Sequence, residues 1–180
     1  MIHGSGPRVS PDLGHITAGP MALSLLPVGG QVGLMDTPAL IALLSQTSFG
    51  ASLAPETRAR LAALGRVIDL AKGHVVIHQG TPSRDLGLLV SGRIAMRLGL
   101  PGERDRTIQT LEAGDVFGWS TLLPSAIATS TGITLAPSRA ILFEGSSLRT
   151  AIAIDSELAT AIYHRLFASV ARRLEPNRTV

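Results

Sequence analysis

The stretch VIHQGTPSRDLGLLVSGRIAMRL, from Val76 to Leu98, alternates short apolar runs with turn-forming residues at Gly80, Pro82 and Gly92. Within it Ile94, Met96 and Leu98 fall on one side of an extended chain and Arg93 and Arg97 on the other, the two-residue period of a strand with one buried face. The pattern continues on both sides. From Val67 to Phe143 the runs VVI, LGLLV, IAMRL, TIQTL, ITL and AILF are separated at Gly73, Gly80, Gly92, Pro101-Gly102, Gly114 and Pro137. Gly80, Gly92, Gly102 and Gly114 are spaced by ten or twelve residues, which predicts a β-sandwich or β-roll built from hairpins.

Helical signals flank this region. In MDTPALIALLSQ, Thr37 suits a cap and Pro38 a first helical position; Met35 is a candidate alternative start. In LAPETRARLAALG, Pro55 and Glu56 suit a first turn, Leu61 and Leu64 share a face, and Gly65 suits the end. Beyond Phe143, Ser146 or Ser147 is placed to cap one short helix and Asp155 a longer one over Ser156–Leu174, about 28 Å long at about 1.5 Å per residue. Its apolar stripe is Leu158, Ile162, Leu166, Val170 and Leu174. One face of that helix is expected to cover the roll, and any remaining apolar surface to form a dimer.

The organisation expected is a flexible or irregular extension over 1–34, one domain over 35–175 and a tail over 176–180. The roll occupies about 67–143 and the C-terminal helices about 146–175. The fold class is α+β, mainly β: a double-stranded β-helix or jelly-roll β-roll with short N-terminal helices and C-terminal helices. A chain of 180 residues with 45% hydrophobic residues can bury such a core. Without cysteine, disulfides and Cys-based metal sites are excluded. No run of 18 apolar residues suggests a membrane span and the N-terminus lacks a signal-peptide pattern, so a cytoplasmic location is expected. The net charge of +3 is modest, Lys72 is the lone lysine, and one Trp and one Tyr leave little for base stacking.

GDVFGWSTLLPSAIATS, from Gly114 to Ser130, reads as a glycine-entered turn running into a short helix, an arrangement that presents backbone N–H groups to an anion. No Lys, Arg or His lies between Arg106 and Arg139, so an anion there has no cationic partner from this segment. Two helical turns, a glycine-punctuated roll, a short helix at Trp119–Leu122 and a long closing helix together resemble the cyclic-nucleotide-binding domain of the bacterial Crp/Fnr transcription regulators. VIHQGTPSRDLGLLVSGRIAMRL, LEAGDVFGW (Leu111 to Trp119) and VARRLE (Val170 to Glu175) carry the resemblance, which covers about residues 37–175.

The resemblance implies a signal-transduction role and a phosphate-binding cassette. In that cassette F-G-E is followed by an Arg and a small polar residue, the Glu accepting a ribose hydroxyl and the Arg pairing with the cyclic phosphate. Phe117 and Gly118 match, but Trp119 stands at the Glu position and Ile127 or Ala128 at the Arg position, followed by Thr129 and Ser130. A hydrogen bond to a charged group contributes about 1.5–3 kcal/mol, so loss of the Arg alone weakens phosphate binding by roughly 10- to 150-fold. Cyclic AMP held in the usual way is not expected.

The candidate ligand site is therefore Phe117, Gly118, Trp119, Ser120, Thr121, Thr129 and Ser130. It suits an unidentified nucleotide-like or small anionic ligand, with Trp119 either stacking on a planar group or folding into the vacated space; no cofactor or metal is expected. His74 and His78 are expected to be structural. No nucleophile–base arrangement or paired carboxylates point to an enzyme. Six residues follow Leu174, so no DNA-reading helix-turn-helix is expected within this sequence, and Arg165, Arg172, Arg173 and Arg178 are expected on a solvated face. The leading expectation is a stand-alone regulatory or sensor module, a homodimer or bound to a protein partner. The alternatives are a ligand-free domain docking on a larger assembly and a truncated transcription regulator.

Overall fold

A computed structural model describes residues 31–33, 35–100, 102 and 104–174. Among the described residues, nine strands form two antiparallel sheets. The five-stranded sheet has the order β1 (Gln31–Gly33), β2 (Gly65–Leu70), β9 (Ser138–Glu144), β4 (Asp85–Ser91) and β7 (Val116–Phe117). The four-stranded sheet has the order β3 (Val75–Ile77), β8 (Thr131–Thr134), β5 (Ile94–Leu98) and β6 (Arg106–Leu111). Helices α1 (Thr37–Ser45), α2 (Ser48–Ala51) and α3 (Pro55–Ala62) precede the roll, and α4 (Gly145–Ile154) and α5 (Ser156–Leu174) follow it. This is the mainly β roll with flanking helices that the sequence predicts.

Two cores hold it together. Ile68, Leu89, Ala140 and Phe117 of the larger sheet meet Ile94, Met96 and Leu111 of the smaller one. The opposite face of the larger sheet carries Leu86, Leu88, Ile141 and Phe143, which pack against Leu40, Leu44, Leu61 and Leu148 from the helices. Because β4 is covered on both faces, Leu86, Gly87, Leu88 and Leu89 are all buried in succession, and the run reads as continuously apolar rather than alternating. Burying each large side chain contributes about 1.5–3 kcal/mol.

The turn glycines fall where expected: Gly73, Gly80, Gly92, Gly102 and Gly114 all have φ between 78° and 92°, which disfavours any residue with a Cβ. Gly65 differs. It does not end a helix but opens β2, where the missing side chain lets Ile141 and Phe143 approach to 3.0 and 3.1 Å of where a Cβ would stand. α1 is capped by Asp36, which accepts the Ala39 N–H at 3.1 Å, one residue before the expected Thr37. At α4 the cap position is Glu144, and Ser146 and Ser147 instead donate their hydroxyls to its carboxylate at 2.6 Å each. α2 was not signalled by the sequence; Thr47 caps it through the Gly50 N–H at 3.0 Å.

Within the segment expected as an irregular extension, Gln31–Gly33 form a strand paired antiparallel with Val67–Asp69. The expectations for residues 1–30, 34 and 175–180 lie outside the described residues.

Candidate functional site

β7 delivers the cassette. It pairs with β4 through Gly87 opposite Phe117 and Leu88 opposite Val116. The Phe117 ring lies across Gly87 in the core between the sheets, where a Cβ at position 87 would collide with it. Gly118 follows with φ 70° and ψ 18°, a left-handed conformation that turns the chain into the short 3-10 helix Trp119–Leu122. No side chain would fit at Gly118, because the Asp85 carbonyl oxygen occupies that space, and Ser83 Oγ donates to the Gly118 carbonyl at 3.1 Å.

The loop beyond the short helix is pinned. Ser83 N–H donates to the Ala126 carbonyl at 2.6 Å and Gly80 N–H to the Ala128 carbonyl at 2.8 Å. Ala128 N–H donates in return to the Thr81 carbonyl at 2.9 Å, and Pro82 bridges Ile127. Ala126 adopts φ 48°, rare for a residue with a Cβ. Of the two residues at the expected arginine position, Ala128 is buried and Ile127 is 41% exposed. Neither offers a charge.

The candidate residues divide into different environments. Phe117, Ser120, Thr121 and Ser130 are buried and Thr129 is exposed. Thr121 is committed internally: its hydroxyl donates to the Arg84 carbonyl at 3.2 Å, and its carbonyl accepts Arg149 Nη1 of α4 at 2.5 Å. Gly145, the first residue of α4, is packed against the Thr121 hydroxyl so closely that a Cβ there would overlap it. Arg149 was missed from the sequence, since nothing local marks a contact 28 residues away.

Trp119 is half-buried and packs against the core shared by the larger sheet and the helices, not against the core between the sheets. The bulky indole follows the left-handed Gly118, and the turn carries it to the helix side.

Besides Arg149, which reaches the Thr121 carbonyl from α4, charges beside the cassette come from the larger sheet. Arg66 Nη2 lies 2.7 Å from Asp85 Oδ2, beside Gly118, and the Arg66 charge also acts on Glu144. The Ser146 and Ser147 hydroxyls hold the Glu144 carboxyl below its ordinary value. At the opposite end of that sheet an open cavity of about 420 Å³ is lined by Asp69, Leu70, Ser91, Pro137, Ser138 and Arg139. Arg139 hydrogen-bonds both Asp69 oxygens, at 2.6 and 3.0 Å, which pulls the Asp69 carboxyl below its usual range. None of those residues belongs to the cassette.

In α5, Leu158 and Ile162 are buried in the domain's own core and Leu166 is partly buried against it. That part of the stripe expected to form the dimer is therefore covered within the chain; the side chains of Val170 and Leu174 lie outside the described residues. The exposed apolar residues are Tyr163 (52%) and Phe167 (75%), four apart on the adjoining face. Arg165 is turned inward and donates to the Ser48 carbonyl and Ser52 Oγ at 2.8 and 3.2 Å, so it does not belong to a solvated arginine face. Backbone and Thr134 contacts tie His74 into the roll. Among the described residues, no helix is long and apolar enough to cross a membrane, and no group of three or more His, Cys, Asp or Glu is placed to hold a metal.

A family model described as "Cyclic nucleotide-binding domain" matches residues 67–155. The chain is 25% identical over 132 residues to the CRP-like cAMP-activated global transcriptional regulator of Mycobacterium tuberculosis, covering 73% of this chain and 57% of the regulator's length. It superposes on the sensor domain of the transcriptional regulator DNR from Pseudomonas aeruginosa with a TM-score of 0.61 and 19% identity, over 80% of this chain and 97% of that one. The N-terminal domain of a transcriptional regulator from Streptomyces coelicolor gives a TM-score of 0.57 and 26% identity, over 73% and 91% of the two chains. Residues 67–155, with the roll, its cassette turn and the helix that follows, thus carry a cyclic nucleotide-binding domain, similar to that of a CRP-like regulator.

Proposed function

We propose that the chain is a regulatory module whose cassette keeps its shape without its charges and does not hold cyclic AMP in the usual way. One observation carries this reading: the left-handed Gly118, the short helix and the doubly pinned loop are intact, while Trp119 points to the helix side and Ile127 and Ala128 bring no cation. A cyclic phosphate fits this donor set poorly, since Arg66 is paired with Asp85 and Arg149 is bound to the Thr121 carbonyl. A ligand held here is neutral or weakly charged, bound by backbone groups and by hydroxyls such as that of the exposed Thr129. Binding acts on α4 and α5, because Arg149 and Gly145 join α4 directly to Thr121.

Thermal shift and Trp119 fluorescence against a panel of cyclic mono- and dinucleotides and neutral nucleosides test the sensor reading. Stabilisation by a compound lacking a cyclic phosphate, with a change in Trp119 emission, is the expected result; no response to any compound contradicts it. The burial of Ser120, Thr121 and Ser130 favours a second reading, a ligand-free domain that docks on a partner.

The module pairs through the Tyr163–Phe167 face of α5, in the cytoplasm. Phe167→Glu places a charge on that face and should convert a dimer to a monomer. An unchanged sedimentation coefficient, in a protein that is dimeric before the substitution, excludes this face.

A further inference from the structure

α4 ends at Ile154 and α5 starts at Ser156, so Asp155 alone forms the joint, with extended backbone at φ −121° and ψ 95°. Its N–H closes α4 on the Ala151 carbonyl at 3.0 Å, and its carbonyl accepts the Ala159 N–H at 2.9 Å. Oδ1 caps α5 by accepting the Leu158 N–H at 3.0 Å. Oδ2 faces α3, where Arg60 Nε stands 2.7 Å away, yet this buried oxygen has no aligned hydrogen bond. The same guanidinium reaches Glu157 Oε2 at 3.5 Å and donates to Thr57 Oγ1 at 3.1 Å. Arg60 is half exposed, at 51%, and Asp155 is not, at 16%.

Further along α5, Arg165 holds the Ser48 carbonyl and Ser52 Oγ and lies 6.0 Å from the Phe49 ring centre. Leu158 and Ile162 supply the apolar seat between these two polar attachments.

The Arg60 side of the pair is half exposed and so open to screening by salt, while its loss leaves the buried Asp155 Oδ2 without a charge partner and makes this joint the weak point of the attachment. Leu158 and Ile162 are seated in the core independently of the pair, so its loss is expected to loosen the helix rather than detach it. We infer that Arg60 is an ionic latch: it clamps the Asp155 joint and Glu157 to α3, and its release lets α5 turn about Asp155. The inference rests on the reading of α5 as the element that responds to the cassette.

Amide hydrogen exchange on the full chain tests it, comparing wild type, Arg60→Gln and Arg60→Lys at low salt and at about 0.5 M salt. In Arg60→Gln at low salt, exchange over residues 156–168 should rise about three- to tenfold while β4 and β9 stay unchanged. High salt should produce the same rise in wild type and add nothing in Arg60→Gln, and Arg60→Lys should restore part of the protection. An unchanged α5, a rise shared equally by β4 and β9, or a salt response that persists without Arg60 overturns the latch. Failure of every compound in the ligand panel leaves the salt-dependent exchange as expected and so counts against the sensor reading alone.

Discussion

Replacing Gly87 with valine should lower the free energy of unfolding by about 3 kcal/mol, the upper part of the range for an overfilled core. Gly87 is central in the larger sheet, between Leu142 of β9 and Phe117 of β7. Three atoms of the Phe117 ring sit where its Cβ would be. The ring has no exit, because Phe117 is 3% exposed and its backbone leads directly into the left-handed Gly118. Either the ring leaves the core between the sheets, or β4 moves away from β7; both disturb the cassette. Urea denaturation followed by circular dichroism measures the loss. Phe117→Leu in the Gly87→Val background should recover part of it, since the two residues share one space. An unchanged denaturation midpoint in Gly87→Val would show that the ring is not held over position 87.

Phe143→Ala should cost about 3–5 kcal/mol, as for other fully buried phenylalanines. Phe143 is 1% exposed on β9, directly opposite Gly65 of β2 and Leu86 of β4. Its ring fills the space that the absent Gly65 side chain leaves, and packs into the core shared with α1, α3, α4 and α5. Truncation opens a cavity with rigid strands on two sides, where little collapse is available. The expected result is a large fall in midpoint with a nearly unchanged denaturant slope. A cost below about 1 kcal/mol, the level typical of surface changes, would place the ring outside the core.

The roll was legible because its signals are local. Glycines that need positive φ, such as Gly92 and Gly114, punctuate strands whose apolar period is set by the sheet, and the ends of α5 are marked by Asp155 and the residues around Leu174. The short helix at Trp119–Leu122 was legible for the same reason. What escaped depends on distant packing. Ser48–Ala51 contains Phe49 and Gly50 and has no helical period over four residues; it is held because Gly50 packs against Leu44. The caps at Asp36 and Glu144 lie one or more residues before the expected ones: Asp36 takes the Ala39 N–H, and the Ser146 and Ser147 hydroxyls are spent on the Glu144 carboxylate.

The chemistry of the cassette was partly legible. In the proposed alignment of the cassette, Trp119 stands at the Glu position and Ile127 or Ala128 at the Arg position. The sequence does not show that Trp119 turns to the helix side, because the left-handed Gly118 and the β4 carbonyl that enforces it are properties of the folded roll. Nor does it show which part of the α5 stripe covers the roll: Leu158 and Ile162 are taken up by the domain itself, leaving Tyr163 and Phe167 outside.

Calorimetric titration of cyclic AMP into the full chain shows whether the cassette has its shape without its charges. No saturable heat is expected up to about 1 mM, the concentration at which binding amounts to only about 4 kcal/mol. Saturable one-site binding in the low micromolar range would contradict this, and would point to Arg149 or Arg66 as the cation that holds the phosphate.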